Sequence, residues 1–387
     1  MKRLLCFMLC MLMLLTVAAC DSTEEMSEAE SSEAVSEEES VEELKLPTIN
    51  GIALSEFTVV YKVSNGGCTY KEIAQKFVAF VQENYGIKLV CRDETIPATD
   101  NEIIFGLASR RNISQENNQN YGYGGYKLVI KDTKVLIACS YPNGCNAGYE
   151  ALLGKIKESS DGVFSNMELS GEKKIIKVAC VGDSITQGIN STDPQNMTYP
   201  AYIQQMLGYD YYVLNAGLSG YSICKIDEYA YFKCNQYLQA RELRPDVVLF
   251  ALGTNDANPS PNQPYKNWDD PQYDRENVFI ESTNELLDAF VKINPDVQIY
   301  MILPASLFKV GADGWNAEAW TKNIVDHSHP LLKKIAEDRN IPTIDMFPWS
   351  LENKEVFTDG LHPKDETYKT FAQQIYDSIK DTIKKPE

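Results

Sequence analysis

Ile175-Ile176-Lys177-Val178-Ala179-Cys180-Val181 runs directly into Gly182-Asp183-Ser184-Ile185-Thr186. An apolar run of this kind, closed by a glycine, reads as a strand covered on both faces. Two further stretches repeat the pattern. Tyr211 to Leu214 precedes Asn215-Ala216-Gly217-Leu218-Ser219-Gly220, and Val247 to Leu252 precedes Gly253-Thr254-Asn255-Asp256. Strands are expected at 174–181, 211–215, 246–252, 298–303 and 342–346. Helical patterns at 199–207, 223–243, 275–293, 317–338 and 364–383 separate them. Regular alternation of this sort predicts an α/β fold, a parallel sheet between two helix layers in a flavodoxin-like order. Ligands of such sheets lie beyond the carboxyl ends of the strands. The three glycine-closed segments would therefore meet at one edge. Asp359-Gly360-Leu361-His362-Pro363, near the C-terminus, must fold back to the same place.

The four segments hold the parts of an acyl-transfer centre. Ser184 is the candidate nucleophile, and a serine hydroxyl needs a base to take its proton. His362 is the candidate base, since an imidazole titrates near neutrality. Asp359 stands three residues earlier, close enough for its carboxylate to reach Nδ1 and fix the tautomer. Ser219 is a decoy, because Tyr221 stands where a Gly-x-Ser-x-Gly elbow needs glycine. Asp183 and Asp256 read as hydrogen-bonding residues at strand ends, and Asp183 is also kept as a candidate substrate contact. His327 and His329 have no cysteine or carboxylate cluster at ligand spacing beside them, so no metal is expected. No cofactor is expected either.

The four blocks, in this order, resemble those of the SGNH (GDSL-type) hydrolases. The resemblance covers about residues 174–385. It implies a serine carboxylic-ester hydrolase, with an oxyanion held by the backbone amides of Ser184 and Gly220 and the side-chain amide of Asn255. The residue types suit that role. Glycine lets the backbone approach substrate closely, and asparagine offers an uncharged NH₂ donor.

The chain begins Met1-Lys2-Arg3, continues with an apolar run from Leu4 to Leu15, and reaches Val17-Ala18-Ala19-Cys20. That is a secretory signal too short to span a bilayer. Small residues before cysteine resemble a bacterial lipoprotein signal. Cys20 would then carry lipid and hold the protein on the extracellular face of a bacterial membrane. Residues 21–46 contain eleven Asp or Glu and one Lys, and read as a disordered acidic tether. They supply about half of the formal charge of -19, and the remaining acidity argues against nucleic acid as partner. No later apolar stretch is long enough to span a membrane. Seven cysteines follow Cys20. Cys180 reads as a buried thiol. For the others, local pairs 139–145 and 224–234 and free thiols remain equally open.

Residues 47–165 carry none of the four blocks and read as a smaller accessory α/β domain, with the hydrolase domain at 172–387. Strands are expected near 57–63, 87–91, 102–106, 126–130 and 134–139, and helices at 70–85 and 147–157. The patterns at 102–106 and 125–130 resemble the accessory domain that precedes the catalytic barrel in several glycoside hydrolases. Two long loops at the catalytic edge bring Tyr265, Trp268 and Trp315, whose rings could stack on sugar. The leading expectation is a secreted, membrane-tethered esterase that removes acyl groups, acetyl above all, from carbohydrate. A lipid-acting esterase, thioesterase or lysophospholipase with the same triad is one alternative. A non-catalytic glycan-binding surface lipoprotein is the other.

Overall fold

A computed structural model describes residues 47–106, 119–158, 163–260, 262–308 and 316–386. The expected signal peptide, the acidic tether, Cys20 and Trp315 lie outside the described residues. The described residues fall within one compact unit, Leu44–Glu387. No helix among them is long and apolar enough to cross a membrane.

Three sheets form in chain order. The smallest joins β1 (Thr48–Ile49), β2 (Ile52–Ala53) and β8 (Val163–Phe164). The second has six strands: β3 (Thr58–Tyr61), β4 (Val90–Asp93), β5 (Glu102–Phe105), β6 (Gly125–Lys131), β7 (Lys134–Cys139) and β9 (Met167–Glu172). Its order is β4-β3-β5-β7-β6-β9, with the last two pairings antiparallel. Helix α1 (Tyr70–Tyr85) covers it and shows why its ends were readable. Thr69 and Glu72 close a reciprocal capping box, and Gly86 ends the helix in the left-handed region at φ 69°. Helix α2 (Pro142–Glu158) begins five residues before the expected start. The edge strand β9 was not expected, because its alternation of half-buried and exposed residues has little apolar content.

The third sheet comprises β10 (Ile176–Gly182), β11 (Tyr211–Gly217), β12 (Val247–Ala251), β13 (Gln298–Leu303) and β14 (Thr343–Asp345). All four pairings are parallel, in the order β11-β10-β12-β13-β14. Counted within this sheet alone that is 2-1-3-4-5, the flavodoxin-like order. Burial explains the unbroken apolar runs. Val178 and Cys180 enter one core with Val247, Leu249 and Tyr300. Ala179 and Val181 enter the other with Val248, Phe250 and Met301. Both faces are covered, so both sets of side chains must be apolar. Each fully buried Ile, Val or Phe contributes about 1.5–3 kcal/mol.

The expected helix at 223–243 is shorter than its pattern. Only Asn235–Glu242 is α-helical, with a single 3-10 turn at Tyr231–Lys233 before it. Residues 223–234 form a loop instead, because Asp256 accepts the amides of Ile223 and Cys224, and Ser222 bridges to Ala230. Two hydrogen bonds from 33 and 32 residues away outweigh a local helical preference of a few tenths of a kcal/mol per residue, about the size expected for such sequences. All seven described cysteines are free thiols, six of them buried.

Candidate active site

Gly182 and Gly217 face each other at the carboxyl ends of neighbouring strands. A Cβ on Gly182 would collide with Thr186, and one on Gly217 with the Gln187 amide. Both glycines are therefore needed for the nucleophile turn to sit down on β11. After Gly182 the chain turns into a one-turn helix, Ser184–Gln187, whose cap is Asp183. The Asp183 carboxylate accepts the Ile185 amide at 3.1 Å. Ser184 is the first helical residue, where a backbone N–H has no partner one turn back.

The fourth segment returns to this edge as a loop tied to itself. Asp359 Oδ1 accepts the amides of Leu361 at 2.9 Å and His362 at 2.7 Å. Gly360, at φ 90°, lets the turn close. The other oxygen, Oδ2, faces His362 Nδ1 at 2.8 Å and accepts the side-chain amide of Asn190 at 2.7 Å. Burial alone would raise the Asp359 carboxyl. The hydrogen bonds from the His362 amide and ring, Leu361 and Asn190 outweigh it and hold the group down at about 2. It is thus ionised wherever the imidazole could act. On the far side of the ring, His362 Nε2 lies 2.8 Å from Ser184 Oγ. The sequence placed these three residues at one edge, and the structure joins them in an unbroken relay.

Asn255 and Asp256 together fix the loop that carries Gly220. Asn255 donates from Nδ2 to the Tyr221 carbonyl at 3.0 Å. An NH₂ group has two donors, so one remains for a substrate oxygen. Asp256 holds the next two amides of the same loop, as described above. Gly220 sits at φ 83° with open space where a Cβ would point. Ser184, Asn255 and His362 are each less than a tenth exposed. In such a site donors fixed before reaction act more strongly than they would in water.

Beneath the turn lies a buried ionic group that sequence reading missed. Arg275, 1% exposed, pairs in a fork with Asp227 at 2.9 and 3.1 Å. It also donates to the carbonyls of Asp256 and Tyr265. Lys266, likewise buried, donates to the Asn255 carbonyl at 3.1 Å. Burial pulls the Lys266 ammonium down, with Asp227 and Asp256 opposing. Burial, then the charge of Asp227, pushes Asp256 up against the Arg275 guanidinium. The two cations hold consecutive carbonyls of the Asn255 turn. The partners lie 10 to 48 residues apart with no fixed spacing, so the only signal was the density of charge in a loop. Asn190 was missed for the same reason.

One aromatic candidate, Trp268, needs correction. Trp268 is only 8% exposed. Its ring stacks on His327 at 4.7 Å and 3°, meets Phe279 edge-on at 5.5 Å, and has the Arg275 guanidinium over it at 5.1 Å. With so little of the ring exposed and three such contacts, Trp268 packs as a core residue of this loop and not as an open substrate platform. Tyr265 is half-buried, packs edge-on against Tyr273, and lends its carbonyl to Arg275. His329 faces Asp345 at 2.9 Å. Among the described residues no cluster of three His, Cys, Asp or Glu stands at metal-binding distance.

Asp183 gives a pH prediction. Burial drives its carboxyl up to about 7, against the Ile185 amide and Thr254 hydroxyl and with Asp256 adding to the rise. A carboxyl raised above its ordinary 3.8 binds a proton in the folded chain that the unfolded chain releases. Stability is therefore lost as pH climbs from about 4 to about 7. Asp183→Asn should remove that loss. Its melting temperature relative to wild type should be higher at about pH 8 than at about pH 5, by thermal denaturation. A difference independent of pH would show that Asp183 titrates normally.

Residues 180–370, which contain Ser184, Gly220, Asn255, Asp359 and His362, match the GDSL-like Lipase/Acylhydrolase family, and this stretch of the chain belongs to it. The chain is similar to an acetylxylan esterase of Xylanibacter ruminicola, at 29% identity over 226 residues. That covers 53% of this chain and 43% of the relative, so the chain spans less than half the length of the relative it matches. Among solved structures, a carbohydrate acetylesterase family member from Sinorhizobium meliloti is similar at 18% identity and a TM-score of 0.39, over 54% of this chain and 98% of that one. A lipase/acylhydrolase from Enterococcus faecalis is similar at 20% identity and a TM-score of 0.37, over 55% and 99%.

Proposed function

We propose that this acylhydrolase domain is a serine esterase that removes acetyl groups from carbohydrate. The observation that carries the esterase reading is the relay from Ser184 through His362 to Asp359, at 2.8 Å for each step. Ser184 Oγ attacks the ester carbonyl as His362 Nε2 takes its proton. Asp359 holds the ring in the tautomer that can accept, and stabilises the imidazolium that results. The oxyanion sits among the amides of Ser184 and Gly220 and the free N–H of Asn255. The alcohol leaves with the proton from His362, and the acyl group stays on Ser184. Water, deprotonated by the same ring, then attacks the acyl-enzyme and frees the acid. Each proton taken is returned, so no other co-reactant is needed.

The similarity to an acetylxylan esterase supports acetyl as the acyl group and carbohydrate as the alcohol. The test is a panel of acetylated oligosaccharides, aryl acetates and long-chain aryl esters with the purified protein. Acetyl esters should be cleaved much faster than esters of about eight carbons, which need an apolar wall worth about 0.8 kcal/mol per CH₂. A preference for the long chains would move the enzyme to lipid substrates.

The small residues before Cys20 support a lipid anchor, with residues 21–46 as a tether to the extracellular face of the membrane. Residues 47–165 would then be an accessory domain ahead of the hydrolase. Cys20→Ala should shift the protein from the membrane fraction to the medium. Wild-type protein found wholly in the medium would remove the anchor from this reading.

A further inference from the structure

A second cavity lies beside the hydrolase sheet, away from Ser184. It is a cleft of about 480 Å³ between the N-terminal sheet's loops and the edge strand β11. One wall carries Asn65, Gly66 and Tyr141, and the other carries Gln195, Tyr212 and Asn215. We propose that this cleft binds the non-reacting sugar rings of an uncharged glycan whose acyl group lies at Ser184. The inference rests on the carbohydrate reading above and gives the N-terminal region a part in it.

Chemistry selects the ligand. Among the described residues no Asp, Glu, Lys, Arg or His lines the cleft, in a chain of formal charge -19. A charged ligand would find no partner there. A fatty chain would have to bury the side-chain amides of Asn65 and Gln195 unpaired, at about 1–3 kcal/mol each. Sugar rings present alternating C–H faces and hydroxyls, and they match a mixture of tyrosine rings and amides. Tyr141 and Tyr212 supply the rings. They pack edge-to-face at 5.3 Å, and Tyr123 braces both at 4.6 and 4.4 Å. The cleft volume falls in the range of about 300–1,000 Å³ usual for ligand sites.

The walls are held rigidly, so the cleft is formed before ligand arrives. Gly66 donates its amide to Asn196 at 2.8 Å. Asn143 donates to the carbonyls of Tyr209 and Tyr211, both at 2.7 Å. Lys173 pairs with Asp210 at 2.7 Å. A Cβ on Gly67 would collide with the Ala201 carbonyl, so the two walls meet backbone to helix.

The cleft borders the strand that pairs with the nucleophile strand. Its upper end is Asn215, whose Nδ2 lies 3.5 Å from the Gln187 carbonyl. Gln187 ends the one-turn helix that Ser184 begins, and its side chain accepts the Ser219 amide, next to Gly220. In register, Asn215 pairs with Cys180, four residues before Ser184.

The experiment compares full-length wild type with Asn65→Trp and Gln195→Trp, one exposed rim residue from each wall. Substrates are O-acetylated neutral oligosaccharides of increasing length and 4-nitrophenyl acetate. Wild-type kcat/KM should rise with length and then level off. Either variant should flatten that rise, losing about tenfold on the longest substrate, with the aryl acetate unchanged. In parallel, Ser184→Ala protein should bind the deacetylated oligosaccharide in calorimetry, and Asn65→Trp in that background should abolish binding. Acetylated monosaccharide cleaved as well as long oligosaccharide would overturn the cleft and leave the esterase reading standing. Loss of aryl acetate hydrolysis in step with the oligosaccharide in both variants would also overturn it. Aryl acetate cleaved with no acetylated saccharide accepted at any length would overturn both readings.

Discussion

Ser184→Ala should abolish ester hydrolysis, lowering kcat by about 10⁴–10⁶-fold, while the protein still folds. The size follows from what is removed. The Ser184 hydroxyl is the atom to which His362 Nε2 points at 2.8 Å. Without it His362 and Asp359 remain paired but have no nucleophile to activate. The residual rate would come from oxyanion donors acting on water, which is slow. Ser219→Ala tests the alternative serine and should keep most activity. Ser219 is exposed, and its amide is already bound to the Gln187 side chain at 2.7 Å. A fluorophosphonate should label wild type at Ser184 and leave the Ser184→Ala protein unlabelled. Label found on Ser219 would sink the assignment. Stability should change little, because one buried hydroxyl hydrogen bond is worth about 1 kcal/mol.

The sheet was legible because its rule is local. A strand covered on both faces is apolar at nearly every position, so β10, β12 and β13 announce themselves as runs. Glycine at the end of β10 and β11 marks where two backbones touch. Asp359 and His362 were legible for a similar reason. Their spacing of three is the spacing at which a carboxylate can bind its own loop amides and the ring together. What escaped were residues whose partners are remote. Asn190 reaches Asp359 across 169 positions, and Arg275 reaches Asp227 across 48. Nothing at either end of such a bond has a periodic signature. The same remoteness turned 223–234 from an expected helix into a loop. Trp268 shows the opposite error. An aromatic residue in a long polar loop looks exposed in sequence, yet long loops need their own small cores. Here Trp268, Phe279 and His327 are that core.

Asn255→Ala should lower kcat by about 10²–10³-fold with a smaller change in KM. The side chain has one N–H committed to the Tyr221 carbonyl at 3.0 Å. The second is free to meet charge on a substrate oxygen. A carbonyl oxygen in the ground state needs that donor little. The oxyanion of the tetrahedral intermediate needs it far more, so the loss falls on kcat. The committed N–H complicates the variant, because Ala also frees the Gly220 loop from one of its ties. Asp256 still holds Ile223 and Cys224, so the loop should stay in place at a cost of about 1 kcal/mol in stability. Asn255→Asp separates the two roles. A carboxylate has the same shape but brings negative charge beside the oxyanion. It should therefore be slower than Ala, although it is the closer isostere. An Asp variant faster than Ala would mean that Asn255 matters for shape and loop position and not as an oxyanion donor. A change confined to KM in either variant would mean that it only holds substrate.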